Sequence, residues 1–162
     1  MDIVDKSVRS KMMAANKAKN TKPELVLRRF LHHLGFRYRI HVRSLPGSPD
    51  LVLPKYRLAI FVHGCFWHQH PGCRYATTPD AQGEKWREKF QGNLIRDERH
   101  ISQLHSMGWR VFLIWECGLT KGKARPSLDW LPDAIKDYDN TFRSWPDPVC
   151  VPVADAEKLA FI

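Results

Sequence analysis

The sequence predicts an α/β fold in which a mixed central sheet is flanked by helices. Two largely apolar runs, residues 58–62 and 109–115, have the pattern of central strands that are buried on both faces. Residues 84–107, which lie between these runs, are predicted to be helical. A chain of 162 residues is long enough for one such domain and too short for two.

The first helix is predicted from a capping signal. Thr21 can cap the helix, Pro23 is tolerated in its first turn, and Glu24 occupies the acidic position of a capping box. Apolar residues then recur at helical spacing, at Leu27, Phe30, Leu31 and Leu34. Gly35 is placed to end this helix.

Strand and turn signals follow the first helix. Residues 36–42 alternate apolar and polar side chains, which predicts a half-exposed strand. The turn-rich segment 44–49 leads into a short strand at 50–53, and residues 54–57 turn the chain into the first apolar run. We expect residues 63–79 to be irregular, since Gly, Pro, Cys and His occur there together.

The second half of the chain is predicted with less detail. We expect the long helix to break near Gly92 and to stop at Gly108. A short helix is predicted at residues 128–136, and the Pro-rich tail after it carries no assignable pattern. The predicted order of elements is α-β-β-β-α-β, as expected of a layered α/β domain.

Composition excludes several classes of protein. The chain is 43% apolar and 27% charged, which is ordinary for a globular protein and does not indicate disorder. No apolar run approaches the roughly 20 residues that a membrane-spanning helix needs. Residues 1–20 are basic and polar and carry no apolar core of a secretory signal. We therefore expect a cytoplasmic or nucleoid-associated protein.

The net charge of +9 is unevenly distributed. Residues 1–43 hold eleven Lys and Arg against three acidic residues, a balance of +8, whereas the remainder has a balance of +1. A basic arm on a nearly neutral body suits a polyanion, because neutralising phosphates releases condensed counterions. The charge pattern favours nucleic acid as the partner, the alternative being a solvated face that serves solubility.

Cysteine and histidine cluster between the two apolar runs. Cys65, His70 and Cys73 fall within one loop of nine residues, and Cys117 follows the second apolar run. Structural zinc takes four tetrahedral thiolate or imidazole ligands, so these residues predict a closed Cys₃His site. The alternative is that the cysteines are buried core thiols. Cys150, in the tail, is expected to be incidental.

A second set of residues has the outline of a metal-dependent nuclease core. Asp50 opens one strand, and the next strand ends in Phe61-Val62-His63. A carboxylate in this position can hold Mg²⁺, which prefers oxygen ligands. Such cores usually carry an acid and a lysine on the second strand, which this chain lacks, so Asp50 can also be a turn carboxylate after proline.

Asp97 strengthens the nuclease interpretation. It lies on one helical stripe with three apolar residues, Leu94, Ile101 and Leu104, so an acid faces the side expected to be buried. A buried charge must be paired or bound to metal. The alternative partner is an arginine such as Arg96 or Arg99.

Together these residues resemble the very-short-patch mismatch-repair endonuclease (Vsr) family. The most specific segment is His63-Gly64-Cys65-Phe66-Trp67-His68. The other matching segments lie at residues 5–11, 44–50, 93–97 and 108–117, in order and at family-like spacing over about residues 1–120.

The resemblance implies a restriction-endonuclease-like core that carries an inserted structural zinc loop and an N-terminal arm. It implies a bacterial enzyme that nicks double-stranded DNA on the 5′ side of the thymine in a T:G mismatch, which arises when 5-methylcytosine deaminates. The implied domain is 1–162, with a basic arm at 1–20, a catalytic core at 21–120 that contains the zinc loop 65–73, and an extension of unassigned role at 121–162.

The resemblance also implies roles for individual residues. Asp50 and the backbone carbonyl of Val62 would bind Mg²⁺, and a second magnesium ion is expected. His63 and Asp97 would reach the metal through water. His68 would be the general base and Glu24 would order a water near the site; Cys65, His70, Cys73 and Cys117 match the family zinc ligands.

An aromatic wedge is the remaining implied feature. Phe66 and Trp67 match residues that the family inserts into DNA, and Met13 matches an arm residue inserted from the opposite groove. A mismatched step is weakly stacked, so prying it open costs less than at a paired step. The alternative is that Phe66 and Trp67 pack into the core.

The sequence departs from the family pattern at two places. Pro71-Gly72 separates His70 from Cys73 where the family usually has one residue, and Val62 stands where threonine is familiar.

Two other functions stay open: a restriction-like nuclease with another DNA substrate, and a non-catalytic zinc DNA-binding module. We expect a monomer, and whether a MutL-type mismatch-repair protein stimulates it is left open, as is the flanking sequence that is read.

Overall fold

The computed structural model describes residues 19–79, 83–120 and 127–147. In these ranges five strands form one sheet in the order β1-β2-β3-β4-β5. In chain order the elements are α1 (Lys22–His33), β1 (Arg39–Ile40), β2 (Leu51–Leu53), a 3₁₀ turn (Pro54–Tyr56), β3 (Leu58–His63), α2 (Gly83–Ser106), β4 (Arg110–Trp115), α3 (Glu116–Leu119), α4 (Leu131–Lys136) and β5 (Phe142–Trp145). The predicted α/β class with a mixed sheet is confirmed.

The sheet is antiparallel at one side and parallel at the other. β1 pairs with β2 and β2 with β3 in antiparallel fashion, whereas β3–β4 and β4–β5 are parallel. The long helix α2 makes the crossover between β3 and β4, as parallel neighbours require. The register pairs His63 with Trp115, so β3 and β4 end side by side at the same edge of the sheet.

Residues of β3 and β4 alternate between two cores, as the period of a strand dictates. Leu58, Ile60, Phe112 and Ile114 face the larger core, which α1 and α4 cover. Ala59, Phe61, Val111 and Leu113 face a smaller core, which α2 covers through Leu104. Burial on both faces explains why both strands read as apolar runs in the sequence.

The capping box at the start of α1 is present as predicted. The Glu24 backbone N–H donates to Thr21 Oγ1 at 3.4 Å, and the Thr21 backbone N–H donates to Glu24 Oε1 at 3.3 Å. Leu34 caps the other end, and Gly35 follows with a φ of +81°, a conformation that glycine adopts without strain.

Two sequence predictions about elements are wrong, and a third, the short helix, is confirmed with a later start. α2 runs unbroken through Gly92, where an added Cβ would meet no atom within 4 Å. The strand expected at 36–42 contains only Arg39–Ile40, because Phe36 is drawn into the core and His41 leaves the strand with a φ of +48°. The short helix begins at Leu131 rather than near residue 128.

The Pro-rich tail contributes a strand that the sequence did not reveal. β5 covers only Phe142–Trp145 and continues the sheet beyond β4. A segment of four residues with two polar side chains, followed directly by proline, gives no strand periodicity. Its pairing with β4 is therefore a tertiary effect.

Arg110 connects β4 to the elements that follow it. Its side chain is buried and donates to five backbone carbonyl oxygens, those of Tyr56, Ala134, Ile135, Asp137 and Asn140. The five donors of a guanidinium are thus all used, and three of the acceptors lie at the C-terminal end of α4, where a cation is favoured. This arginine holds α4 and the approach to β5 against the sheet.

None of the described helices is long and apolar enough to cross a membrane.

Candidate active site

Asp50 and the end of β3 meet at one edge of the sheet. Asp50 directly precedes β2, one position beyond the Leu51–Ile60 pair. Its Oδ2 atom accepts a hydrogen bond from the Val62 backbone N–H at 2.7 Å, and its side chain is 18% exposed. The structure therefore brings together the two residues that were expected to share a metal.

The positive charge of Arg28 and His68 only partly offsets the burial of Asp50. Burial raises the pKa of this carboxyl to about 6; the hydrogen bond from Val62 opposes that shift, and the nearby Glu24 carboxylate adds to it. A bound cation would reverse both unfavourable effects and favour the ionised form. The carboxylate oxygen and the neighbouring backbone therefore suit a hard divalent ion such as Mg²⁺.

Two histidines and an aspartate form a second group beside Asp50. The His68 ring from the loop after β3 stacks on the His63 ring, with centroids 3.8 Å apart and planes 13° from parallel. His68 Nδ1 lies 2.5 Å from Asp97 Oδ2, and Asp97 lies on α2. Ligand atoms of these three residues lie within 4.8 Å of one another.

The charge state of this group follows from its burial and hydrogen bonds. Burial by itself would raise the pKa of Asp97, but the hydrogen bond from His68 and the charges of His63, His68 and His100 outweigh it and lower the pKa. An ionised carboxylate only accepts, so His68 Nδ1 must donate and its Nε2 is left as an acceptor. A histidine held in this way can take up a proton.

His63 is the most buried member of the group. Burial, followed by the charge of His68, lowers the pKa of His63 to about 3, so the imidazole is neutral. Its Nδ1 atom is buried and has no hydrogen-bond partner within the part of the chain that the structure describes. A buried nitrogen of this kind requires a partner, and a water on a bound metal ion would supply one.

The structure does not bear out the expected burial of the whole α2 stripe. Leu104 is fully buried, but Leu94 is 41% exposed and Asp97 is only partly buried. The partner of Asp97 is His68 rather than either of the arginines proposed as the alternative. α2 is held to the loop by a further bond, from Asn93 Nδ2 to the Trp67 carbonyl oxygen at 2.8 Å.

His41 was not singled out from the sequence, which placed it on a half-exposed strand. Ligand atoms of Glu24, His41 and Asp50 lie within 4.8 Å of one another, and Arg28 contacts two of the three. Burial lowers the pKa of His41; Glu24 opposes that shift, while Arg28 and Lys19 add to it. The only sequence signal was the i, i+4 spacing of Glu24 and Arg28 on α1.

The four predicted zinc ligands converge. Cys65 and His70 are buried, Cys73 and Cys117 are partly buried, and their ligand atoms lie within 4.8 Å of one another. His70 Nδ1 lies 3.4 Å from Cys117 Sγ and 3.8 Å from Cys65 Sγ. Three thiols and one imidazole nitrogen are a donor set that fits tetrahedral zinc.

His70 is oriented for this purpose by two contacts. Its Nε2 lies 3.2 Å from the Pro146 carbonyl oxygen, which can only accept, so Nε2 carries the proton and Nδ1 is free to bind metal. Its ring stacks on Trp115 with centroids 4.2 Å apart. The Cys65 backbone N–H donates to Glu116 Oε1 at 3.0 Å, which fixes the start of the loop.

The hydrogen bond between two of the thiols favours ionisation of Cys117 over that of Cys65. A hydrogen bond from Cys65 lowers the pKa of Cys117, and the same bond, together with burial, raises the pKa of Cys65 to about 12. Burial also raises the pKa of Cys73. Metal binding deprotonates thiols, so an ion here would ionise all three of them and release protons.

An aromatic cluster forms around Phe66 and Trp67, which lie between Cys65 and His68 in the chain. Phe66 and Trp67 are both half-buried, so neither the exposed nor the core placement is complete. Phe66 makes edge contacts with Trp67, Trp86 and Phe90, with ring centroids 5.0–5.4 Å apart. Lys89 Nζ lies over Trp67 and Trp86. Met13 and Cys150 lie outside the described residues, as does nearly all of the predicted arm.

A carboxylate at a sheet edge, an adjacent His–Asp pair and a separate Cys₃His cluster are the features of a metal-dependent nuclease, and comparison with known proteins identifies the family. A family model described as DNA mismatch endonuclease Vsr matches residues 1–74. The type II nicking enzyme V.XorIIP of Xanthomonas oryzae pv. oryzae is 45% identical over 109 residues, which cover 67% of this chain and 79% of that protein.

Two further relatives match most of the chain. The DNA mismatch endonuclease Vsr of Escherichia coli is 40% identical over 137 residues, or 85% of this chain and 86% of that protein. The type II nicking enzyme V.NmeAIP of Neisseria meningitidis is 40% identical over 137 residues, or 84% of this chain and 97% of that protein. The chain belongs to the Vsr family of DNA mismatch endonucleases, which confirms the resemblance and makes it a DNA endonuclease, a hydrolase.

Proposed function

We propose that this enzyme nicks one DNA strand on the 5′ side of the thymine in a T:G mismatch, in a magnesium-dependent reaction. The observation that carries the proposal is the meeting of Asp50 with Val62 at the end of β3, directly beside the His63–His68–Asp97 group. One relative is named a DNA mismatch endonuclease and others are named nicking enzymes, which supports a single-strand cut.

In this proposal Asp50 and the Val62 carbonyl would hold Mg²⁺, which the raised pKa of Asp50 in the absence of a cation supports, and the family pattern implies two such ions. Bound magnesium supplies positive charge that stabilises the attacking and leaving oxygens of an in-line displacement. His63, whose buried Nδ1 lacks a partner among the described residues, and Asp97 would contact the metal through water. The donor set offered by Asp50 and the backbone fits a hard cation.

His68 is the proposed general base. Its Nδ1–H donates to Asp97 Oδ2, so Nε2 can accept the proton of an attacking water. As the oxygen–phosphorus bond forms, the bond from phosphorus to the leaving sugar oxygen breaks, and Asp97 stabilises the imidazolium that results. The stacked His63 ring keeps the plane of His68 fixed during this step.

The Cys₃His cluster is the proposed structural zinc site of a restriction-endonuclease-like core. Zinc there would tie the loop that carries Phe66 and Trp67 to α3 through Cys117. The proposed wedge of Phe66 and Trp67 then stacks on bases at the mismatch, each stack contributing about 1–3 kcal/mol. Met13 would enter from the opposite groove. Glu24 is placed near Asp50, and its oxygens are occupied by protein donors.

The proposed setting is a bacterial cytoplasm, with the enzyme acting as a monomer on nucleoid DNA and a MutL-type repair protein as a partner. The basic balance of +8 in residues 1–43 supports attraction to the DNA backbone. The very-short-patch pathway then begins with the nick.

The test is a nicking assay on matched G:C and mismatched T:G duplexes, with and without Mg²⁺, alongside Asp50→Asn as an inactive control. We expect Mg²⁺-dependent cutting of one strand in the T:G duplex only. Equal nicking of both duplexes would indicate a restriction-like nuclease with another substrate. Binding without any cutting would leave a zinc DNA-binding module.

A further inference from the structure

Behind Asp50 lies a set of polar residues, of which Arg28 and His41 have no role in the proposed mechanism. Glu24 anchors it, and its side chain is 3% exposed. Four donors fill the acceptor positions of this carboxylate: the backbone N–H groups of Asn20 and Thr21, the Thr21 hydroxyl, and the Arg28 guanidinium. A carboxylate offers about four such positions, so Glu24 is saturated by its own chain.

Arg28 links Asn20 and Glu24 to His41. Its Nη1 donates to Asn20 Oδ1 at 2.7 Å, and its Nη2 lies 2.7 Å from Glu24 Oε2 and 2.9 Å from His41 Nε2. A guanidinium only donates, so His41 Nε2 must accept and the ring proton must sit on Nδ1. That Nδ1 faces Asp50 Oδ1 at 3.8 Å, which is beyond hydrogen-bond range but close enough for attraction between N–H dipole and carboxylate.

The backbone of His41 supports the same interpretation. Its φ of +48° is a conformation that non-glycine residues rarely adopt and that costs on the order of 1 kcal/mol. In this conformation the His41 N–H donates to the Asp50 carbonyl oxygen at 3.2 Å. His41 therefore contacts Asp50 through both backbone and side chain, and the contact is maintained against local strain.

We propose that Arg28 and His41 are positioning residues that orient the Asp50 carboxylate for its divalent cation. The inference rests on the proposed role of Asp50 as a metal ligand. Val62 N–H fixes Oδ2 from one side and His41 faces Oδ1 from the other, so the carboxylate cannot rotate freely. Groups that orient a ligand in this way typically change metal affinity 10–100-fold when they are replaced.

The primary test compares His41→Leu with His41→Gln. Glutamine offers one acceptor and one donor group, as the neutral imidazole does, whereas leucine offers neither. We expect His41→Leu to raise the Mg²⁺ concentration for half-maximal nicking about 10-fold, with the maximal rate changed less than about 3-fold. We expect His41→Gln to restore the metal requirement to within about 3-fold of the original.

A second measurement does not depend on catalysis. Binding of Mn²⁺ to the zinc-loaded protein without DNA, followed by the loss of the free-ion signal in electron paramagnetic resonance, should weaken in His41→Leu by a similar factor of about 10. His105→Leu is the matched control, because this exposed histidine lies in the last turn of α2 and outside the site. We expect both of its metal titrations to match the original protein.

Arg28→Lys tests the same connection from the other side. Lysine keeps the charge but lacks the fork that serves three acceptors at once, so the metal requirement should rise several-fold. Arg28→Lys also tests the positioning role if His41→Leu fails to fold. Zinc content and circular dichroism would reveal such a failure. The inference is overturned if the folded variants keep the original Mg²⁺ requirement, whether or not their maximal rate falls. Nicking by Asp50→Asn at the original rate would instead overturn the proposed function.

Discussion

At the scale of single residues, Asp50 combines a functional requirement with a cost in stability. The carboxyl is partly buried next to another carboxylate, and its pKa is raised to about 6 in the metal-free protein. In the unfolded chain its pKa is near 3.8. The folded protein thus binds this proton more tightly, so ionising Asp50 weakens folding unless a cation is present.

We predict that Asp50→Asn abolishes nicking and stabilises the protein in the absence of Mg²⁺. The asparagine can still accept from Val62 N–H and carries no charge. Its stabilising effect should be absent below about pH 4, grow as pH rises to about 6, and reach at most about 3 kcal/mol above that. Urea unfolding of both zinc-loaded proteins from pH 4 to pH 8 measures it. A difference that does not vary with pH would contradict the argument.

Asp97 is predicted to contribute to rate rather than to binding. Asp97→Asn can still accept the hydrogen bond from His68 but cannot stabilise an imidazolium. We expect single-turnover nicking at saturating Mg²⁺ to fall by about 10²–10⁴-fold, with affinity for a T:G duplex nearly unchanged. Full activity in this variant would show that His68 does not act as the base with Asp97 as its partner.

At the scale of elements, the short helix α3 is pressed against the end of the sheet. A Cβ on Gly118 would lie 2.5 Å from Trp145 Cζ3 and 2.8 Å from two carbons of Pro146. Cys117, a proposed zinc ligand, is the preceding residue. The close approach of α3 to β5 therefore sets where the fourth ligand of the cluster lies.

We predict that Gly118→Ala destabilises the protein by about 1–3 kcal/mol, because the neighbouring ring and proline must move. It should also speed the loss of zinc to a chelator. Gly92→Ala is the matched control: no atom lies within 4 Å of its added Cβ, and alanine in a helix interior should stabilise by up to about 1 kcal/mol. Thermal unfolding with a colorimetric zinc assay reports both effects, and equal behaviour of the two variants would refute the packing argument.

At the scale of the whole molecule, Arg110 joins β4 to α4 and to the chain before β5. Arg110→Met would leave five backbone carbonyls without these donors, so we expect a loss of about 3–5 kcal/mol in stability. Arg37→Met, at an exposed position, should change stability by less than about 0.5 kcal/mol. Denaturant unfolding of the two variants compares them, and a small effect at Arg110 would mean that water replaces the guanidinium.

The parts of this structure that the sequence predicted are those that local pattern or ligand chemistry determines. The capping box at Thr21, the apolar strands β3 and β4, and the convergence of the four Cys and His ligands follow from residue types at short spacing. The resemblance brought Asp97 and His68 into one site, although helix periodicity overstated the burial around Asp97.

The features that were missed depend on contacts between distant segments. Arg110 was not singled out from the sequence, because its carbonyl partners come from residues that lie up to 54 positions away. β5 forms only because β4 presents an edge to it. His41 looked like one of several polar residues on a strand, since neither its positive φ nor its link to Arg28 leaves a mark in a single sequence.

One indole contacts residues of both proposed metal sites. The Trp115 ring stacks on His70 at 4.2 Å, meets His63 edge-on at 5.4 Å, and donates through Nε1 to Ser144 Oγ at 2.8 Å. If zinc binds there as proposed, its loss would leave three thiols open to oxidation and His70 without a metal to bind. Oxidants that eject zinc should therefore slow nicking even at saturating Mg²⁺, and a thiol reductant with added zinc should restore it. Repair by this enzyme would then fail under oxidative stress, because a displaced His70 would shift Trp115 and, through it, His63.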